Sequence, residues 1–209
     1  MMRAAVPSTS ASTIPVRPAV KEDLARMAAA LAAAFDGDEP LRWFVPNARR
    51  RYALLERYFR AQLPLFMANG EVWTSDEVPC SAAWVAPVRW PFGTRDQLRA
   101  TPTLLRVFGR RPLRAVAGLR TIERGHPHEA HWYLDSIGVD PSAHGRGAGS
   151  ALLAAMARRL DAEGSPAYLN AGSSRSRDLY LRHGFEVREQ FRLPFGGPPL
   201  WRMWRSARG

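Results

Sequence analysis

The stretch Gly138–Met156, "GVDPSAHGRGAGSALLAAM", decides how this chain is read. Four glycines fall within twelve residues, and the chain then runs straight into an alanine- and leucine-rich helical pattern. A helix N-terminus presents N–H groups without intrahelical partners and a partial positive charge, and together these attract phosphate. Glycines let the backbone close around an anion with no side chain in the way. His144, Gly145, Arg146, Gly147, Ala148, Gly149 and Ser150 therefore read as a diphosphate cradle that opens a helix. Taken alone, the pattern is equally that of a tight strand-to-helix turn.

Two other phosphate motifs are excluded. A dinucleotide fingerprint requires a third glycine at position 150, where the chain has serine. A Walker-type loop requires a lysine before its Ser or Thr, and no lysine follows Lys21.

Around the cradle, strands and helices alternate. "HWYLDSIGV" before it and "PAYLNAG" after it read as strands, and "GSALLAAMARRLDAEG" as the helix between them, ended by Gly164. "SRDLYLRHG" follows as a short helix, then "FEVREQFRLP" and "PLWRMWR" as a last strand pair. In the first half, "TIPVRPA" is a short strand and "KEDLARMAAALAAAFDG" a helix. A second helix is expected over residues 47–68, kinked or ended at Pro64. "EVWTSDE" and "PCSAAWVAP" read as two strands around a turn. Residues 89–127, rich in Arg, Gly and Pro, are expected to form a helical insertion, and residues 1–13 a disordered leader. The whole is a mixed α/β (α+β) pattern in one domain over residues 14–209.

At this point the residues carry a resemblance. Val139, Pro141 and the run His144–Leu153 resemble the acyl-CoA-binding motif of the GNAT superfamily of N-acetyltransferases. The downstream Tyr180-Leu-Arg-His-Gly-Phe185 is similar to that family's Tyr-x-x-x-Gly-Phe element. The first helix with "LAAAF" and the tail "GGPPLWRMWR" resemble the puromycin N-acetyltransferase branch. The resemblance implies a strongly twisted mixed sheet of about seven strands, splayed between the fourth and fifth, with the helical insertion ahead of the fourth.

It also implies roles. Acetyl-CoA is the co-substrate. Its pantetheine arm lies along the backbone of Ile137, Gly138 and Val139, and its diphosphate on the amides of Arg146 to Ser150. Asn170 and Ser176 border the same region, where the puromycin branch carries Glu and Asn. His144 stands where Gln or Arg is usual, implying weaker rather than lost phosphate binding. Tyr180 is the implied proton donor to the departing thiolate, because phenol (pKa about 10) and thiol (about 8.5) share a proton without large penalty. Packing on the sheet is the alternative role for Tyr180. The backbone N–H of Val139, or one near it, faces the oxyanion.

Asn170 accepts no proton, so Asp135, on the strand leading to the motif, is the expected base; pairing with an arginine is its equal alternative. Bringing a lysine-like amine to neutrality at pH 7 costs on the order of 4 to 5 kcal/mol, against about 1 for an α-amino group. A site without a strong base suits the latter. The acceptor side falls to the loop after the first helix. There Phe35, Asp36, Asp38 and Glu39 put three acids together in a basic chain, with a solvated helix end and loop as the equal alternative. Trp84 is a further candidate wall, with a place in the core as its favoured alternative.

Bulk properties bound the rest. The chain has 209 residues, 46% hydrophobic, with formal net charge +11. Of 30 basic residues only Lys21 is a lysine, a bias that a GC-rich coding sequence produces without functional pressure. The arginines are scattered, with no stripe interleaved with stacking aromatics, so nucleic-acid binding is not expected. One cysteine, Cys80, permits no internal disulfide and suits a reducing compartment. No apolar run approaches the ~20 residues of a membrane span. A cytoplasmic enzyme acting on a small-molecule amine is expected, monomeric or homodimeric, with no membrane partner. His126, His128 and His131 invite a metal reading, but none is expected. Acetylation of protein N-termini or lysines, or acyl-CoA binding without turnover, are the alternatives.

Overall fold

The computed structural model describes residues 14–109 and 111–207; the expected leader, residues 1–13, lies outside the described residues. Seven strands form one mixed sheet in the order β1-β2-β3-β4-β5-β7-β6. They are β1 (Arg17–Pro18), β2 (Gly70–Thr74), β3 (Cys80–Val85), β4 (Trp132–Val139), β5 (Ala167–Ala171), β6 (Glu186–Arg192) and β7 (Pro199–Arg205). Every neighbouring pair is antiparallel except β4 and β5, which run parallel.

Helices cover both faces, as a sheet apolar on both sides demands. On one face, α1 (Leu24–Asp36) and α3 (Ala48–Asn69) bury Met27, Leu31, Leu55, Leu63 and Phe66 against Val85, Tyr133 and Tyr168. On the other, α6 (Ala148–Glu163) and α7 (Ser174–Arg182) bring Leu152, Met156 and Tyr180 onto Trp84, Leu134 and Leu169. The expected insertion is helical, with α4 (Thr94–Phe108) and α5 (Pro112–Glu123) between β3 and β4.

Two local expectations are narrowed. Of the two outcomes expected at Pro64, the ending does not occur: α3 continues to Asn69. The proline lies on the exposed side of the helix, where its ring displaces no core packing. The burial of Leu63, Leu65 and Phe66 around it holds the helix together. The stretch after α1 is also not all loop: a short α2 (Glu39–Phe44) intervenes, capped by Asp38, whose Oδ1 accepts from Leu41 N–H at 3.0 Å.

The sheet opens where β4 and β5 part. Pairing covers only Trp132–Ala167, Tyr133–Tyr168 and Leu134–Leu169, while β4 runs on to Val139. On its other side β4 stays joined to β3, but with a bulge: Trp84 faces Leu134 and Ala83 faces Ser136, leaving Asp135 as the extra residue. The bulge falls where the fork begins.

Candidate active site

The glycine loop lies beyond the free end of β4. Asp140 closes a turn by accepting from Ser142 N–H at 2.9 Å, and residues 141–143 form one turn of 3-10 helix. Gly145 and Gly147 then adopt φ values of 79° and 86°, a left-handed conformation that costs any other residue strain. Gly147 is the N-cap of α6; no side chain caps that helix and no acid stands in its first turn. Its leading amides therefore keep the donor capacity an anion would use. The His144 ring donates from Nε2 to the Val139 carbonyl at 3.0 Å, tying the loop to the end of β4. Ser150 meets His183 Nε2 at 2.7 Å, linking α6 to the end of α7.

Gly138 is small for a packing reason. A Cβ there would sit 2.8 Å from that of Ala34 and 3.0 Å from Leu31 Cδ2, so α1 lies directly on β4. Ile137 and Val139 turn the other way and pack against the core under α6.

Tyr180 comes to the fork from α7. It is 6% exposed, set edge-on against Phe185, and its hydroxyl takes no hydrogen-bond partner among the described residues. Burial, and to a lesser degree the Asp38 carboxylate nearby, raise its pKa and keep it a phenol. Asp38 arrives from the opposite face: a Cβ on Gly172, just past β5, would lie 3.0 Å from Asp38 Oδ2. Burial pushes the Asp38 carboxyl up to about 6, against the Leu41 N–H that favours its charge.

Asp135 stands on the α1–α3 face with a part-exposed edge. Its burial pushes the carboxyl up to about 7, while the adjacent Ser136 hydroxyl, which closes no full hydrogen bond, works weakly the other way. Tyr58 and Tyr133 are held protonated first by burial and then by the Asp135 charge. No arginine pairs with Asp135 among the described residues.

The other expected site residues divide. Asn170 lies on β5, accepting from the Tyr168 hydroxyl at 2.9 Å, while its amide nitrogen has no acceptor. The Ser176 hydroxyl is occupied in the capping box of α7, donating to the Ser173 carbonyl at 2.9 Å. Asp36 accepts from Arg51 Nε at 3.1 Å, and Phe35 stacks on Phe59 at 5.5 Å. Trp84 is corrected: at 1% exposure under α6 it is core, out of an acceptor's reach. Glu39 lines an open cavity with Arg42, Trp43 and Pro198.

The histidines behave as aromatics. His126 Nε2 and His131 Nε2 meet at 3.1 Å, and His126 stacks on Trp90 at 5.8 Å. Burial depresses both, His126 to about 4. Among the described residues no three His, Cys, Asp or Glu side chains group as a metal site requires.

A half-open parallel strand pair, an uncapped helix behind left-handed glycines, and a free phenol at the fork suit an extended thioester with a diphosphate. The sequence profile described as "Acetyltransferase (GNAT) family" matches residues 71–185. The chain belongs to the GNAT acetyltransferase family. It is an acetyl-CoA-dependent N-acetyltransferase.

Solved structures agree in fold. A Corynebacterium glutamicum protein described as "histone acetyltransferase HPA2 and related acetyltransferase" is 28% identical, with a TM-score of 0.73 over 94% of this chain and 98% of that one. An agmatine N-acetyltransferase (16%, TM-score 0.54, 93% and 100% covered) shares the fold. So does arylalkylamine N-acetyltransferase 2 from Aedes aegypti (11%, 0.56, 93% and 99%). No helix among the described residues of this GNAT enzyme is long and apolar enough to cross a membrane.

Proposed function

We propose that this GNAT enzyme acetylates the primary amine of a small molecule, with Tyr180 as the proton donor to the thiolate. The observation that carries the reading is the meeting of Tyr180, Asp38 and the β4–β5 fork. A phenol without a hydrogen-bond partner among the described residues and a carboxyl raised toward neutrality stand together beside the edge of β4 that β5 leaves unpaired beyond Leu134.

The neutral amine attacks the thioester carbonyl; an N–C bond forms and the C–S bond breaks. A main-chain N–H at or near Val139 meets the developing oxyanion. The proton lost by the amine passes to Asp135 through water, which a carboxyl near 7 accepts readily at neutral pH. Tyr180 gives its proton to the departing sulfur, and solvent restores it. Asp38, ionised above about pH 6, holds the acceptor's amine end. The diphosphate rests on the amides from Arg146 to Ser150, backed by the glycine conformations at 145 and 147. The resemblance to the puromycin N-acetyltransferase branch suggests the first acceptor to try.

The test is thiol release from acetyl-CoA with puromycin and a panel of small primary amines. Release above hydrolysis supports the reading. Release only with lysine-bearing proteins would overturn it, in line with the name of the Corynebacterium relative.

A further inference from the structure

Next to Asp38, α2 opens onto a cavity of about 400 Å³ bounded by the start of α3 and the β6–β7 turn. Charges of both signs line it. Glu39 and Arg42 lie three residues apart, one turn along the same edge of α2, yet neither closes an ion pair with any described residue. Both are therefore free to take a ligand. Arg51 adds positive potential from the floor, with its Nε already committed to Asp36 at 3.1 Å.

Trp43 forms the wall. It is 7% exposed, and its indole N–H has no acceptor. That edge faces the β6–β7 turn, where a Cβ on Gly197 would come within 2.9 Å of Nε1. The turn therefore encloses the N–H, and the charged groups open to the cavity from α2 are those of Glu39 and Arg42. The Arg114 guanidinium lies 4.3 Å from the ring centroid with no anionic partner among the described residues, and burial depresses its pKa. Arg42, Arg51 and Arg114 thus surround Trp43 with positive charge, while Glu39 brings a negative charge to the cavity's edge.

We propose that the acceptor is a zwitterion: an amine that also bears a carboxylate, of the amino-acid class. Its ammonium end enters beside Glu39, and its carboxylate turns to Arg42. The ammonium gives up one proton to bulk water before attack, and the second passes to Asp135 through water as the N–C bond forms. This inference rests on the reading of the enzyme as a small-molecule amine acetyltransferase.

Matched acceptors that differ only in the carboxylate test it: phenylalanine against phenethylamine, lysine against cadaverine, and 6-aminohexanoate against hexylamine. Thiol release should show kcat/KM at least about tenfold higher for the acid of one or more pairs. Arg42→Ala should raise KM for that acid to the level of its partner, with kcat and the partner's kinetics unchanged. Arg42→Lys should restore part of the preference. Equal or better turnover of the decarboxylated amines throughout would overturn the proposal, as would an Arg42→Ala effect shared by both members of a pair. Thiol release with protein lysines and with no small amine would instead overturn the acetylation reading beneath it.

Discussion

Leu134 and Leu169 are the last residues that join β4 to β5, and Asp135 bulges from β4 at the next position. The two features are coupled. A bulge adds a residue to one side of β4 only, so the strand turns away from β5 while remaining paired to β3. The opening this creates is flanked by the α6 N-terminus, Tyr180 and Asp38.

Tyr180 provides the cleanest separation of chemistry from folding. Its hydroxyl makes no hydrogen bond to any described residue, so Tyr180→Phe should leave the melting temperature almost unchanged. The same change should lower kcat by about tenfold or more with acetyl-CoA affinity intact. Steady-state kinetics beside calorimetric binding checks both; unchanged kcat would mean that Tyr180 only packs.

Asp135 predicts opposite trends for activity and stability. Its folded pKa, about 7, lies above the ordinary 3.8, so between these values the folded protein binds more protons there than the unfolded chain. Stability from this group is therefore present at low pH and falls as pH rises toward 7. Activity should rise over the upper part of that range as the base ionises. Asp135→Asn should abolish that rise and lower kcat by about a hundredfold, while raising the melting temperature more at pH 8 than at pH 5.

The His126–His131 pair works with the reverse sign. Burial depresses His126 from 6.5 to about 4, so below 6.5 the unfolded chain binds more protons and stability drops as pH falls through this window. His131 shifts in the same direction. His126→Gln, which keeps a hydrogen-bonding group toward His131, should flatten the dependence of melting temperature on pH between about 6.5 and 4.

Much of this was legible in the chain because local chemistry and fold agree there. The left-handed glycines, the helix they open and the Tyr180–Phe185 element need particular residues at fixed spacing, and the residues are visible. The short α2 carried a signal as well: Asp38 followed by Pro40 is an N-cap with proline in the first turn. What could not be read is tertiary. Pro64 survives in α3 because of which side it faces, and Trp84 is core because α6 covers it. The arginine at position 51 pairs with Asp36, an ion pair that sequence separation hides. The bulge at Asp135 is set by pairing with β3, and strand propensity says nothing of it.

The central claim is that residues 144–150 hold the diphosphate of acetyl-CoA, and Gly147→Asp tests it most directly. Gly147 has φ 86° with open space around the position of a Cβ, so a side chain fits but meets backbone strain of about 1 to 2 kcal/mol. An aspartate would also bring negative charge to the α6 N-terminus, where the phosphates compete for the same donors. Titration calorimetry of acetyl-CoA into the folded variant should show binding lost, with the wild type binding normally. Unchanged affinity would contradict the account.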